Sequence, residues 1–207
     1  MGGRRIEYFL TTASPWSYLG HGELMRVAAR HGASVLARPM PVRQLFDETG
    51  GLPLPKRHPV RQAYRLVELQ RWRALRGLPL DPEVSHSRAD PSLADRAAIA
   101  IAADGGDPMP FLGAAMAAVW AERRDLGDAA TVAEILGRLG LEADRVLSMA
   151  RAEASAAAYE RNFADAVTAG VFGAPSYVLD GEVFWGQDRL GLLDEALESG
   201  RDPYRAV

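Results

Sequence analysis

Residues 5–40 read RIEYFLTTASPWSYLGHGELMRVAARHGASVLARPM, and the order of residue types along this stretch decides the fold. Arg5 to Thr12 is rich in Ile, Tyr, Phe and Thr, side chains that suit a pleated, half-buried surface, and it predicts a strand. Ala13-Ser14-Pro15 ends that strand, and apolar residues then recur at helical spacing through Leu19, Leu24, Val27 and Ala28 up to His31-Gly32. Ser34 to Arg38 predicts a second short strand closed by Pro39. Two strands bridged by a helix imply a parallel pair with a right-handed crossover.

Outward from this unit the composition changes. From about Val42 to Ala169 Ala, Leu, Arg and Glu dominate, with breaks at Gly50-Gly51-Leu52-Pro53, Gly77-Leu78-Pro79, Gly105-Gly106-Asp107-Pro108, Leu126-Gly127-Asp128 and Gly140. Helices are expected over Pro59 to Arg76, Ser92 to Ala103, Met109 to Arg123, Thr131 to Leu139 and Glu142 to Ala169. After Gly170 the pattern reverts: Ser176 to Leu179 and Glu182 to Trp185 flank Asp180-Gly181, a pair favoured in tight hairpins. A last helix is expected from Asp188 to Glu198. The order β-α-β, helical insert, β-β-α is that of an α/β thioredoxin-like fold with a large all-helical domain in its middle. The expected division is 1–41 plus 170–207 for the thioredoxin-like domain and 42–169 for the insert.

Composition narrows the function. The 207 residues are 48% hydrophobic, enough for a full core. A net charge of −3, with 24 basic residues dispersed among 27 acidic ones, argues against nucleic acid as a partner. No apolar run approaches membrane-spanning length, and Arg4 and Arg5 precede no apolar signal core, so a cytoplasmic protein without membrane contact is expected. With no cysteine in the chain, disulfides, thiolate metal sites and a dithiol redox cycle are excluded, and any thiol chemistry needs a borrowed thiol. His21, His31, His58 and His86 show no metal-ligand spacing, and no metal is expected.

Three segments carry a resemblance: YFLTTASPWSYLG (8–20), RHPVRQAYRLVELQRW (57–72) and GVFGAPSYVLDGEVFWGQDRL (170–190). In this order around a helical insert, the chain resembles the 2-hydroxychromene-2-carboxylate isomerases. These are relatives of kappa-class glutathione transferases and, more distantly, of DsbA-type oxidoreductases. The resemblance covers nearly the whole chain. It implies glutathione as cofactor, a small aromatic substrate and a homodimer.

Ser14-Pro15-Trp16-Ser17 stands where a thioredoxin relative places its Cys-x-x-Cys, at a strand-to-helix turn. Free amides at a helix N-terminus favour an anion beside Ser14, and its hydroxyl suits a hydrogen bond to a thiolate. On local sequence alone the favoured reading of Ser14 is a helix cap followed by Pro at the first helical position; the resemblance reverses this and gives Ser14 the catalytic role. The resemblance also implies a cis bond before Pro175, with Ala174 pairing its backbone with the cysteinyl unit of glutathione. Gln187 and Asp188 match residues that hold the γ-glutamyl end, although Asp188 also reads as a helix cap. Arg61, in Pro-x-Arg-x-x-Tyr, takes the place of a Lys that contacts the glutathione carboxylates. The chain departs from its relatives at Gly51-Leu52, where many have a glutathione-binding Asn. Trp16, Tyr18, Phe46, Trp72 and Trp185 could line an apolar site for an aromatic substrate, although most of them read more simply as core; Trp16 is nominated for the pocket.

The activity implied is the interconversion of 2-hydroxychromene-2-carboxylate and trans-o-hydroxybenzylidenepyruvate. A kappa-like transferase that consumes glutathione and a non-catalytic thioredoxin-fold binding protein are the competing readings.

Overall fold

The computed structural model describes residues 4–83 and 90–205; His86 lies outside them. Four strands, β1 (Arg5–Leu10), β2 (Ser34–Pro39), β3 (Ser176–Leu179) and β4 (Glu182–Trp185), form one sheet in the order β2-β1-β3-β4. β1 runs parallel to β2, with Tyr8 opposite Ala37, and antiparallel to β3, with Tyr8 opposite Tyr177. β3 and β4 form the hairpin expected at Asp180-Gly181, where both residues take positive φ (51° and 84°), the backbone that Asp-Gly adopts most readily.

Helix α1 (Pro15–Arg30) connects β1 to β2 and buries Tyr18, Leu19, Leu24, Val27 and Ala28. Its approach to the C-terminal segment depends on Gly20: a Cβ there would sit 2.6 Å from Gln187 Cβ and 2.7 Å from the Tyr177 hydroxyl. Between β2 and β3 come α2 (Val42–Thr49), α3 (Pro59–Arg76), α4 (Ser92–Ala103), α5 (Met109–Trp120), α6 (Ala129–Arg138), α7 (Ala143–Arg151) and α8 (Glu153–Thr168). A 3-10 turn (Gln187–Arg189) leads into α9 (Leu190–Ser199). One hydrophobic cluster joins Ile6, Tyr8 and Tyr177 of the sheet to Ala97, Phe111 and Ile135 of the helical segment. Among the described residues no helix is long and apolar enough to cross a membrane.

Several boundaries differ from expectation. The single helix expected over Glu142 to Ala169 is two, because Ala152 is extended (φ −67°, ψ 151°) and its carbonyl starts α8 by accepting from Ser155 and Ala156. No Gly or Pro announces this break. Both α7 and α8 pack on α4 and on each other, burying Val146, Leu147 and Ala150 from one and Tyr159, Asn162 and Ala166 from the other. A single straight rod could not fold back on itself to pack α7 against α8. α5 stops at Trp120 instead of Arg123, and Arg123 takes a left-handed φ of 59°. The last helix begins at Leu190, after the 3-10 turn, rather than at Asp188.

Candidate active site

Ser14 ends the β1–α1 turn as the N-cap of α1 (φ −87°, ψ 121°) and is 8% exposed. Its Oγ accepts from Ser17 N at 3.2 Å, the bond that a cap makes to the third helical residue. The same hydroxyl donates to the carbonyl oxygen of Ala174 at 3.3 Å. The cap and the cross-chain contact therefore coexist. Pro15 occupies the first helical position and has no N–H, while the amide of Trp16 lies in the first turn, where no helical carbonyl reaches it. No acidic residue stands in that first turn. The helix N-terminus beside Ser14 is thus a favourable place for an anion.

The Ala174–Pro175 bond is cis. Ala174 is partly exposed and Pro175 buried, and Gly186 N donates to Pro175 O at 2.9 Å. That bond ties the segment after β4 to the loop facing Ser14. Gly186 has φ 98°, a conformation in which glycine is favoured, and it delivers the chain into the Gln187–Arg189 turn. Ser14, Ala174, Pro175 and the start of this turn are thus brought together from opposite ends of the chain.

Gln187 and Asp188 face different surroundings. Gln187 is 1% exposed, and its Oε1 accepts from Arg76 Nη2 of α3 at 3.2 Å. Arg76 also pairs with Glu23 of α1 at 2.7 Å. Asp188 is exposed and pairs with Arg189.

Arg61 is exposed on the first turns of α3, and no hydrogen bond or ion pair joins it to the other candidates among the described residues. It belongs to a cationic strip. Arg57 is shifted below the usual guanidinium range by burial and then by the charge of Arg61. Arg65, half-buried, is pushed down to about 10 by burial and then by Arg57. Among the described residues none of the three makes an ion pair, so the strip presents uncompensated positive charge. Trp16 is half-buried and packs against the main core, as does Trp72. Trp185 is 51% exposed beside Phe172, with ring centroids 4.7 Å apart, and is not one of the aromatics that form the core.

Beneath the Ser14 turn lies a buried carboxylate. Asp95, on the first turn of α4, is fully buried and accepts from Thr11 Oγ1 (2.9 Å), Thr12 N (2.8 Å), Thr12 Oγ1 (2.8 Å) and Tyr159 OH (3.1 Å). Burial pushes its pKa up to about 6, opposed by these hydrogen bonds. Behind α1, Tyr8 and Tyr177 stack at 5.4 Å, and burial raises both phenols far above their usual range, so they stay neutral. His21 Nε2 donates to Met109 O at 3.1 Å, and burial lowers its pKa.

The profile of the DSBA-like thioredoxin domain matches residues 5–198. The chain belongs to that family. A protein of Sphingobium xenophagum named 2-hydroxychromene-2-carboxylate isomerase is 29% identical over 196 residues, covering 94% of this chain and 98% of the relative. The fold is similar to a solved 2-hydroxychromene-2-carboxylate isomerase, with TM-score 0.80 and 22% identity over 94% of this chain and 95% of the other. It is also similar to DsbM, a cytosolic disulfide reductase of Pseudomonas aeruginosa solved with GSH, with TM-score 0.66 and 18% identity over 94% and 96%.

Two parts of this candidate site are not among the residues the sequence singles out. Arg76 carries no local signal, because its contact with Gln187 spans 111 residues. Asp95 left a trace that was available: it lies on the apolar stripe of α4 with Ala94, Ala97, Ala98 and Ile101, and an acid on such a stripe needs dedicated donors.

Proposed function

We propose that this protein is a glutathione-dependent isomerase that interconverts 2-hydroxychromene-2-carboxylate and trans-o-hydroxybenzylidenepyruvate, or a closely similar aromatic pair. The observation that supports it most directly is the Ser14 hydroxyl at the N-cap of α1, 3.3 Å from the Ala174 carbonyl, in a chain without cysteine. The isomerase name of the Sphingobium relative and the GSH of the DsbM structure support the same reading.

The donor set fits a bound thiol. Ser14 Oγ can turn its proton from the Ala174 carbonyl to a sulfur, and the Trp16 amide in the first turn of α1, without a hydrogen-bond partner among the described residues, would add a fixed dipole. Ala174, released, offers its N–H and C=O to a peptide backbone in the manner of strand addition. Asp188 suits the γ-glutamyl ammonium. The side chain of Gln187 is already held by Arg76, so its part narrows to its backbone and to placing Asp188. Arg61, with Arg57 and Arg65 beside it, suits carboxylates, and an Arg fork grips them bidentately. When bound, glutathione would supply a thiolate nucleophile for reversible addition to the conjugated double bond, a chemistry that permits rotation about that bond and returns glutathione unchanged. Ser14 and the helix amides would hold the sulfur's charge, and half-buried Trp16 would offer an apolar flank for the aromatic ring.

Calorimetric titration of glutathione, followed by turnover assays that monitor free thiol, tests the reading. Saturable binding weakened by Asp188→Ala, with isomerisation and no thiol consumed, is expected. Net thiol loss would instead favour a conjugating transferase, and no binding at millimolar glutathione would overturn the cofactor.

A further inference from the structure

The carboxylate of Asp95 is the one acid among the described residues that is fully buried, and the residues it binds are those that lead into Ser14. An ionised carboxylate offers about four acceptor directions. All are used here: two by Thr12, one by Thr11 and one by Tyr159 of α8. Thr11 in turn accepts Ser14 N on its carbonyl at 3.1 Å and Ala13 N on its hydroxyl at 3.4 Å. Every backbone bond that shapes the turn from Thr11 to Ser14 is therefore one step from Asp95. Among the described residues no Arg, Lys or His pairs with it; the groups that shift its proton affinity are the two Thr and Tyr159, and that phenol in turn feels the charges of Asp90 and Glu160.

We propose that Asp95 is a positioning residue for the glutathione-facing hydroxyl: the helical segment inserts its carboxylate into the β1–α1 turn, and the four donors it gathers fix where Ser14 stands. A purely apolar contact would hold α4 to the sheet equally well, because burying an uncompensated charge costs stability. What the carboxylate adds is direction. Protonation removes one acceptor site and makes the group a donor, which forces a Thr hydroxyl or the Tyr159 hydroxyl to turn away. The burial that raises the pKa of Asp95 to about 6 places this change within reach of ordinary assay conditions.

In its kinetic arm this inference rests on the isomerase reading; in its exchange arm it does not. The experiment uses the full chain as parent, Asp95→Asn and Tyr159→Phe. Amide hydrogen exchange is followed at Thr12 and Ser14 against the core amides of β1, alongside kcat and KM from pH 5 to 8. In Asp95→Asn, the Thr12 and Ser14 amides should exchange about tenfold faster relative to the core amides, the scale of one lost hydrogen bond to a charged group. The parent's kcat should fall on the acidic side, a limb absent from Asp95→Asn. Tyr159→Phe, which removes one donor and leaves the turn otherwise intact, should move that limb to higher pH. Unchanged relative exchange in Asp95→Asn, or an acidic limb identical in all three proteins, overturns the proposal. A parent that neither binds glutathione nor isomerises overturns the isomerase reading instead, and the exchange result then decides the role of Asp95. Should Asp95→Asn not fold, Tyr159→Phe decides: a shifted limb, or faster relative exchange at Thr12, supports the role, and neither overturns it.

Discussion

Ser14 Oγ and the Ala174 carbonyl oxygen meet at 3.3 Å across 160 residues of sequence. This bond links the helix that carries the anion-favouring N-terminus to the loop before Pro175. It also gives the Ser14 proton a resting acceptor, which a thiolate would displace. Ser14→Ala should lose both this contact and the cap. The expected cost is about 1 kcal/mol of stability, typical of a lost N-cap, read by urea unfolding. Glutathione affinity should fall about tenfold or more, read by calorimetry, and Ser14→Gly, a better cap than Ala, should restore stability more than affinity.

The stability of the fold should depend on pH through Asp95. Its pKa in the folded protein is about 6, raised from 3.8, so between these values the folded state binds the proton more tightly than the unfolded state. The sign follows: this contribution is fully present below about 4 and is lost as pH rises through about 6. The total is roughly 3 kcal/mol at about 1.4 kcal/mol per pKa unit. Stability of the parent relative to Asp95→Asn should therefore rise as pH is lowered from 7.5 to 5, measured by chemical denaturation at each pH.

Arg76 joins α3 to α1 and to the turn after β4 by pairing with Glu23 and donating from Nη2 to Gln187 Oε1. Arg76 and Glu23 have side-chain exposures of only 16% and 17%. Arg76→Met should leave Glu23 half-desolvated and Gln187 without its donor. A loss of about 2 to 4 kcal/mol is expected, below the upper range for fully buried pairs because Arg26 also reaches Glu23. Glutathione binding should weaken too, since the turn bearing Asp188 loses its anchor.

The close approach at Gly20 gives a steric test. A methyl group there meets Gln187 Cβ at 2.6 Å and the Tyr177 hydroxyl at 2.7 Å. Neither neighbour is a free end: one is next to backbone and the other belongs to a ring stacked on Tyr8. Gly20→Ala should cost about 1 to 3 kcal/mol by overpacking, despite the better helix propensity of Ala, and should lower Tm measurably.

Arg65 is half-buried beside Arg57, with no ion pair among the described residues, and its lowered pKa reports the unfavourable surroundings. Arg65→Met should stabilise the ligand-free protein by roughly 1 kcal/mol, because it removes a poorly compensated charge. The same change should weaken glutathione binding if the strip receives carboxylates. Opposite signs in thermal melts and in calorimetry are the expected outcome.

Local sequence was sufficient for the β-α-β unit at 5–39, for the Asp180-Gly181 hairpin and for Ser14-Pro15 at the start of α1. Each of these depends on residues only a few positions apart: alternation of side chains, a φ-tolerant turn pair, a hydroxyl next to free amides. Thiol chemistry of the protein's own was likewise settled by the absence of cysteine. Tertiary structure alone decided the break at Ala152, the exposure of Trp185 and the burial of Gln187 under Arg76. It alone set Asp95 into a turn 83 residues earlier in the chain. These outcomes depend on which surfaces meet once the helices pack on the sheet. A short-range pattern records a residue's own preferences and not the partner that packing brings to it.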